Sequence, residues 1–439
     1  MASVHGMSSE GLKSELDLFS VPLTQKSIES AGYVHYKPLS SLGDGSVIDF
    51  VVEGRGDSYI DLGDTILAVT AKVVKNDNTP LDANDEVAPV NYFLHSLFSQ
   101  VDIYLNQRLI TPSSNTYPYR AYIETCLGYD KSSKDTHLQM GLYHKDTAGE
   151  FNTLGVDNTG YTARKALVAE SSEVVMMGRI HSELFKQDRY LLNGVEMCVK
   201  LIRSKDAFCL MAAGDAATSK VVITDATLMV RKARISPSIM IAHANTLKKA
   251  TAKYPLTRVD VKTVTIPAQL QAKTVDNLVL GVLPKRVILG FVLNSAYNGT
   301  VAHNPFNFEH FQLNHLVMYV DGVQIPSKPL TPSFAAHSSG CVSMYHTLLQ
   351  GCGINSGDHG NDISLADYAN GGYVLVAFDL TADNSASTGI WSVQRHGSLR
   401  LEVRFGAPLA APITCICYCE YDSLLEIDFD RNVTTDYGV

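Results

Sequence analysis

The chain has 439 residues, too many for most single sandwiches and comfortable for two domains of about 200 each. Apolar residues make up 45% of it, enough for two cores, and the net charge of −9 argues against a nucleic-acid-binding surface as the main business, because such surfaces are usually basic. No apolar run reaches the ~18 residues that a membrane helix needs; the best candidate, 278–293, is broken by Pro284-Lys285-Arg286.

Residues 1–38 are polar and poorly periodic apart from Leu16, Leu18, Phe19, Val21 and Leu23. They read as an extended N-terminal arm that folds against a neighbour. The first 19 residues lack the apolar core of a signal peptide, so a reducing compartment is expected. From Val47 the pattern becomes β. Ile48 to Val52 is a strand, Gly54-Arg55-Gly56-Asp57 a turn, Tyr59 to Leu62 a second strand, and Leu67, Val69, Ala71 and Val73 alternate along a third. Val101 to Leu105 turns near Asn106-Gln107 towards Leu109 and Ile110. Tyr119, Tyr122, Ile123 and Cys126 stand at helical spacing. The stretch 128–164 is long, polar and weakly patterned, and loops of that length are usually functional or interface-forming. Strands at 195–202 and 221–235 close the first block.

At Ser236 the character changes. Pro237 suits a first helical turn, Ile239, Ile241 and Leu247 continue the helix, and Pro255 ends the segment. Val259 and Val261 then open a second block, followed by two strands around Pro284. In Leu316-Val317-Met318-Tyr319-Val320, Asp321-Gly322 and the return through Val323 and Ile325, an Asp-Gly turn between apolar runs signals a hairpin. Pro326, Pro329 and Pro332 predict a loop after it. Tyr104 and Tyr319 occupy equivalent places in two hairpins, which suggests one domain present twice. A second long Gly/Ser/Asp-rich loop runs over 335–372. Strands at 373–378, 399–405 and 413–427 follow. Both loops are expected to gain order by burial against another subunit. Short strands at regular spacing with few helices predict an all-β chain of two sandwiches.

No constellation carries chemistry. Arg55-Gly56-Asp57-Ser58 reads as a Gly-rich turn capped by Asp57 rather than an adhesion tripeptide. Glu420, Asp422, Glu426, Asp428 and Asp430 read as a solvated, mutually repelling edge rather than a calcium site. Gly351-Cys352-Gly353-Ile354-Asn355-Ser356-Gly357 lacks the Lys-Ser/Thr ending of a phosphate loop. Of the eight cysteines, Cys126, Cys198, Cys209, Cys341 and Cys352 are scattered. Cys415, Cys417 and Cys419 share one strand face and read as small core residues rather than zinc ligands. The fourteen histidines include no paired ligand spacing. The expectation is no catalytic residue, no cofactor and no metal: a protein that assembles or binds, and not an enzyme.

Several segments together resemble the hexon-like major capsid proteins of polintons (Mavericks) and adintoviruses. They are Ser14-Glu15-Leu16-Asp17-Leu18-Phe19, the run from Gly178-Arg179-Ile180-His181 to Val195, 304–334, 362–371, 397–405 and Glu426-Ile427-Asp428. Their order, more than any single motif, carries the resemblance. It implies a double jelly-roll, two eight-stranded β-sandwiches in tandem with short helices and long loops. The divisions would be an arm at 1–38, a first jelly-roll at 39–235, a linker helix at 236–256, a second jelly-roll at 257–430 and a tail at 431–439. It further implies homotrimers that tile an icosahedral shell around a double-stranded DNA genome. The partners would be other copies of the chain, penton or minor capsid proteins and a host receptor. The chain would be made in the host cytoplasm or nucleus and reside in the virion capsid. The competing readings are a minor capsid or vertex protein of the same particle and a β-sandwich carbohydrate-binding protein.

Overall fold

The computed structural model describes residues 5–437 apart from Glu10, Asp44, Ser46, Arg55, 215–217, 335–337 and Ser356. Arg55 of the Arg-Gly-Asp turn and Ser356 of the Gly-rich stretch thus lie outside the described residues.

The first block builds β1 (Ile28–Tyr36), β2 (Ile48–Val52), β3 (Ser58–Lys75), β4 (Phe98–Leu105), β5 (Arg108–Leu109), β6 (Val174–Arg179), β7 (Met197–Arg203) and β8 (Ser219–Ile235). They form two four-stranded antiparallel sheets in the orders β1-β8-β3-β6 and β2-β7-β4-β5. The second block builds β9 (Ala252–Ile266), β10 (Ala272–Val282), β11 (Arg286–Leu293), β12 (Leu313–Val320), β13 (Val323–Leu330), β14 (Leu375–Asp379), β15 (His396–Phe405) and β16 (Ile413–Ile427). Its sheets run β9-β16-β11-β14, with Val433–Thr435 added on β16, and β10-β15-β12-β13. Each strand of the second set lies eight numbers above its counterpart in the first, so one topology occurs twice.

Alternation explains the strand faces. In β3, Leu67, Val69, Ala71 and Val73 are buried while Ala68, Thr70 and Lys72 are half-buried; in β15, Leu399, Leu401, Val403 and Phe405 are buried. Strand β16 is buried on both faces from Ile413 to Cys419, because it is central in its sheet and covered on either side. Its Cys415, Cys417 and Cys419 are all buried, with the first two sulfurs 3.6 Å apart.

Four elements differ from expectation. The segment read as a linker to residue 256 is shorter, because β9 already starts at Ala252 and runs through Pro255. The strands expected at 59–62 and 67–73 are one strand, β3, whose register against β8 shifts between Met229 and Arg231; the Gly63-Asp64 signal marks an irregularity and not a turn. The prolines after Ile325 do not start a loop: β13 runs through Pro326 and Pro329 to Leu330. It does so because it is the outermost strand of its sheet, where a missing N–H leaves no ladder bond unmade. Finally, β1 pairs with β8 over Ile28–Tyr36, inside the stretch read as an arm.

The helices are few and short: α1 (Tyr117–Gly128), α2 (Thr159–Val168), α3 (Pro237–Leu247), α4 (Val342–Gly351) and α5 (Leu365–Asn370) carry most of them. Helix α3 starts with Pro237 in its first turn and joins β8 to β9. Helix α5 is held by a reciprocal cap between Ser364 and Asp367.

Candidate assembly surfaces

The two hairpins anticipated around Tyr104 and Tyr319 occupy matching places. Asn106 and Gln107 turn between β4 and β5 with φ of 44° and 69°, and Asp321 and Gly322 turn between β12 and β13 with φ of 50° and 81°. Both pairs suit the left-handed turn that matches strand twist. The Lys200 ammonium, on β7, lies 5.1 Å from the Tyr104 ring centre. The Arg400 guanidinium, on the corresponding β15, lies 4.3 Å from that of Tyr319. The Asp321 carboxylate accepts from the Ser398 N–H at 2.8 Å.

Between the two sandwiches runs a seam made of aromatic rings. Tyr122 on α1 stacks on Phe306 at 4.3 Å with 6° between planes. Tyr119 stacks on Tyr297 at 5.7 Å, and Phe208 meets Phe306 edge-on at 6.2 Å. Phe151 meets Tyr373 at 5.0 Å. Gly372 makes that approach possible: its φ is +91°, and a Cβ there would sit 2.1 Å from the Phe151 ring.

Beside the rings lies a buried charged network that hydrophobic periodicity does not announce. Glu124 projects from α1 into its centre. Its carboxylate accepts from Arg120 at 3.1 Å, from Lys186 at 2.9 Å and from the Tyr418 hydroxyl at 3.0 Å, and it meets His181 Nδ1 at 2.7 Å. Tyr418 comes from β16, so this bond joins the sandwiches. Arg120 also pairs with Glu183 at 2.7 Å. Burial works against the Glu124 charge, but Lys186, Arg120 and the His181 hydrogen bond outweigh it and hold its carboxyl well below the usual range. Burial pushes His181 down, with Glu124 opposing. Burial and then the nearby His181 push His95 well down, where its Nδ1 meets the Tyr117 hydroxyl at 2.8 Å. The Glu124 oxygens are engaged by neighbouring side chains, and His181 and Lys186 also line an open pocket of about 700 Å³.

The long loops, expected to be ordered by another subunit, find much of their order in each other. Lys134 donates to the carbonyls of Cys126 at 2.8 Å and Asn361 at 2.6 Å. Lys145 donates to Asp367 at 3.1 Å, and the Tyr373 hydroxyl donates to the Asp146 carbonyl at 2.6 Å. Arg164, fully buried, pairs with Asp146 at 2.7 Å and donates to Pro89 and His144 carbonyls at 2.8 Å. The polar residues that made 128–164 look unstructured bond within it and to segments packed against it.

Three of the five carboxylates read as a repelling edge near the C-terminus are paired with cations. Glu420 pairs with Arg286 at 3.2 Å, Asp422 with Lys285 at 2.6 Å and Glu426 with Lys253 at 2.8 Å. The first two cations come from β11 and its approach and the third from β9, the two strands flanking β16. Among the described residues, no group of three or more His, Cys, Asp or Glu is placed to hold a metal ion.

Outward, among the described residues, exposed apolar side chains gather in two segments. One is the arm, with Leu16, Leu18, Phe19, Val21 and Leu23 all exposed. The other is the β14–β15 connection, where Ile390 and Val393 are exposed beside Trp391, the one tryptophan of the sequence.

Two sandwiches of one strand order, each with its two sheets numbered alike, define a double jelly-roll. No protein-family model matches the chain. It is 25% identical over 402 residues, 88% of its length and 93% of the relative's, to an uncharacterized protein of Caenorhabditis elegans. Among solved structures it is similar to a chain of the Sputnik virophage, at 13% identity, TM-score 0.66, and coverage of 98% of this chain and 93% of that one. It is similar to PBCV-1 VP54 at 10% identity and TM-score 0.60, covering 96% and 100% of the two chains. It is similar to the mavirus major capsid protein at 11% identity and TM-score 0.54, covering 99% and 97%. At these identities the likeness is one of fold, and it extends over the whole chain.

Proposed function

We propose that the chain is a hexon-like major capsid protein whose homotrimers tile an icosahedral shell around a double-stranded DNA genome. The observation that carries this reading is the duplicated strand order, in a chain whose fold is similar over 96% to 99% of its length to chains of a virophage and of viral capsids. Three chains of two sandwiches give a near-hexagonal block, and a closed ring satisfies every copy of a head-to-tail contact. The exposed apolar residues of the arm and of the β14–β15 connection are what such contacts would cover. On this reading the work is assembly and not catalysis, and the chain resides in the virion. Its further partners would be penton or minor capsid proteins and a host receptor. The division would be an arm, a first jelly-roll ending at Ile235, a linker helix and a second jelly-roll. The order of the segments from Ser14-Glu15-Leu16-Asp17-Leu18-Phe19 to Glu426-Ile427-Asp428 supports a place among polinton and adintovirus hexons.

Light scattering on the purified protein is the test. Three chains, with six lobes around a three-fold axis in micrographs, are expected; a stable monomer, or a dimer without a six-lobed face, refutes the reading.

A further inference from the structure

Helix α3 lies over the body of the protein without burying a single residue fully. Its inner side carries Ile239 and Leu247, and opposite them stand Ile28, Tyr59, Leu192 and Tyr254. Between the two runs an apolar groove of about 710 Å³. At one point the roof touches the floor, where the Tyr59 hydroxyl meets His243 Nδ1 at 3.0 Å. A groove this size, apolar and open, is a place where water is held at a disadvantage.

The same chain carries a segment of matching chemistry. Phe19 in the arm is 96% exposed and Leu23 fully so. Leu16, Leu18, Phe19, Val21 and Leu23 recur within a short stretch, and Glu15 and Asp17 accompany them. Around the groove the balance is basic: Arg189 and Lys253 line it, and Lys248 and Lys249 are exposed just past the end of α3. Asp188 and the Lys253 partner Glu426 offset part of that charge. An acidic, apolar segment and a basic, apolar groove are thus complementary in charge and polarity.

The root of the arm sits beside the groove and is fixed. Gln25 Oε1 accepts from the N–H groups of Ser27 and of Ile28, the latter at 2.9 Å, and its Nε2 donates to the Ile28 carbonyl at 3.1 Å. The Ser236 N–H, at the start of α3, donates to the Ser27 carbonyl at 2.9 Å. None of residues 15–23 lines the groove and the arm's apolar side chains are exposed, so in the single chain groove and arm stand open together. We propose that the groove under α3 receives residues 15–23 of the arm of a second copy of this chain. The inference rests on the self-assembly put forward above and names the surface that does it. Each copy presents one arm and one groove, so the contact is head-to-tail and closes when the ring closes. In that contact the arm's exposed apolar residues would be buried, which a short segment cannot achieve alone.

The experiment uses the full chain with Phe19 replaced by p-benzoyl-phenylalanine, irradiated after purification. Covalent dimers and trimers on a denaturing gel are expected, with the cross-linked peptides mapping to 237–254. Leu247→Asp and, independently, Ile239→Asp should reduce that product about tenfold. Cross-links that form without a gain in mass assign the groove to the chain's own arm and overturn the proposal, as do cross-links that map elsewhere. Light scattering on the same sample separates the two claims. A trimer lacking the cross-link overturns only the groove, whereas a monomer lacking it overturns groove and shell together.

Discussion

Replacing Glu124 by Gln keeps its shape and removes the charge from a site where Arg120, Lys186, His181 and the Tyr418 hydroxyl all converge within 3.1 Å. The side chains of Arg120 and Glu124 are nearly inaccessible to water. Taking one partner from a buried pair leaves the other charge uncompensated, a loss of about 3–5 kcal/mol. Lys186 is half-exposed, so its own removal, as Lys186→Met, should lower stability by only about 0–1 kcal/mol. The thermal shift depends on what unfolds together. At about 2.1 cal/mol/K per residue, the 439 residues have an unfolding entropy near 0.9 kcal/mol/K. If the seam welds both sandwiches into one cooperative unit, Glu124→Gln lowers Tm by about 3–5 °C. If each sandwich melts alone, the affected half shifts about twice as far and the transition splits. Scanning calorimetry reads both. Tyr418→Phe removes the bond that crosses the seam, at about 1.5–3 kcal/mol. The double variant should fall short of the sum of the singles, because the two residues act on one interaction. A drop below about 1 °C for Glu124→Gln, with strict additivity, would refute the claim that this carboxylate ties the sandwiches together.

The buried His95 is neutral in the folded chain and would protonate near pH 6.5 when unfolded. Its contribution to stability is therefore present above that pH and lost as pH falls below it. Between pH 7.5 and 5.5 the loss is about 1.4 kcal/mol, and His95→Gln should flatten the urea midpoint against pH by that much; a gain in stability on acidification contradicts the assignment. Gly372→Ala combines a strained φ with a clash against Phe151. It should lose about 2–5 kcal/mol, whereas the same change at Gly322, where the hairpin tip is open, should lose only the backbone part; equal effects in denaturant titrations would be the contrary result. Deleting residues 1–24, which leaves the Gln25 turn intact, should change the melting temperature little and abolish shell assembly in micrographs; complete shells from the truncated chain count against the role given to the arm.

The sequence spoke most clearly where a local rule and the tertiary setting coincide. Asp321-Gly322 needs positive φ at both positions and has it. Leu399, Leu401, Val403 and Phe405 alternate because one face of β15 is core, and Pro237 starts α3 where a missing N–H does no harm. It spoke least where the partner of a residue is remote. Strand β1 is exposed along most of its length, so no alternation marks it, and only its pairing with β8 makes it a strand. The prolines of β13 look like breakers until its place at the sheet edge is known. The network around Glu124 draws on 120, 124, 181, 183, 186 and 418, and no spacing in the chain brings those numbers together. Its one trace was indirect: an Arg and a Glu a helical turn apart on α1, among tyrosines, on a face with no solvent to meet.

The loops locked together by Lys134, Lys145 and Tyr373 alter what assembly has to accomplish. Two separate sandwiches meeting in solution would lose translational and rotational freedom worth about 4–15 kcal/mol. Carried on one chain and fastened at the seam, they make that encounter within a single molecule, at the high effective concentration a tether confers. In the six-lobed block proposed above, half of the lateral joints would be settled while the polypeptide folds, independent of how dilute it is. What would remain for concentration to govern is one repeated joint between chains. A shell built from such blocks would have fewer ways to close wrongly, and its growth could be tuned through that joint without loosening the block itself.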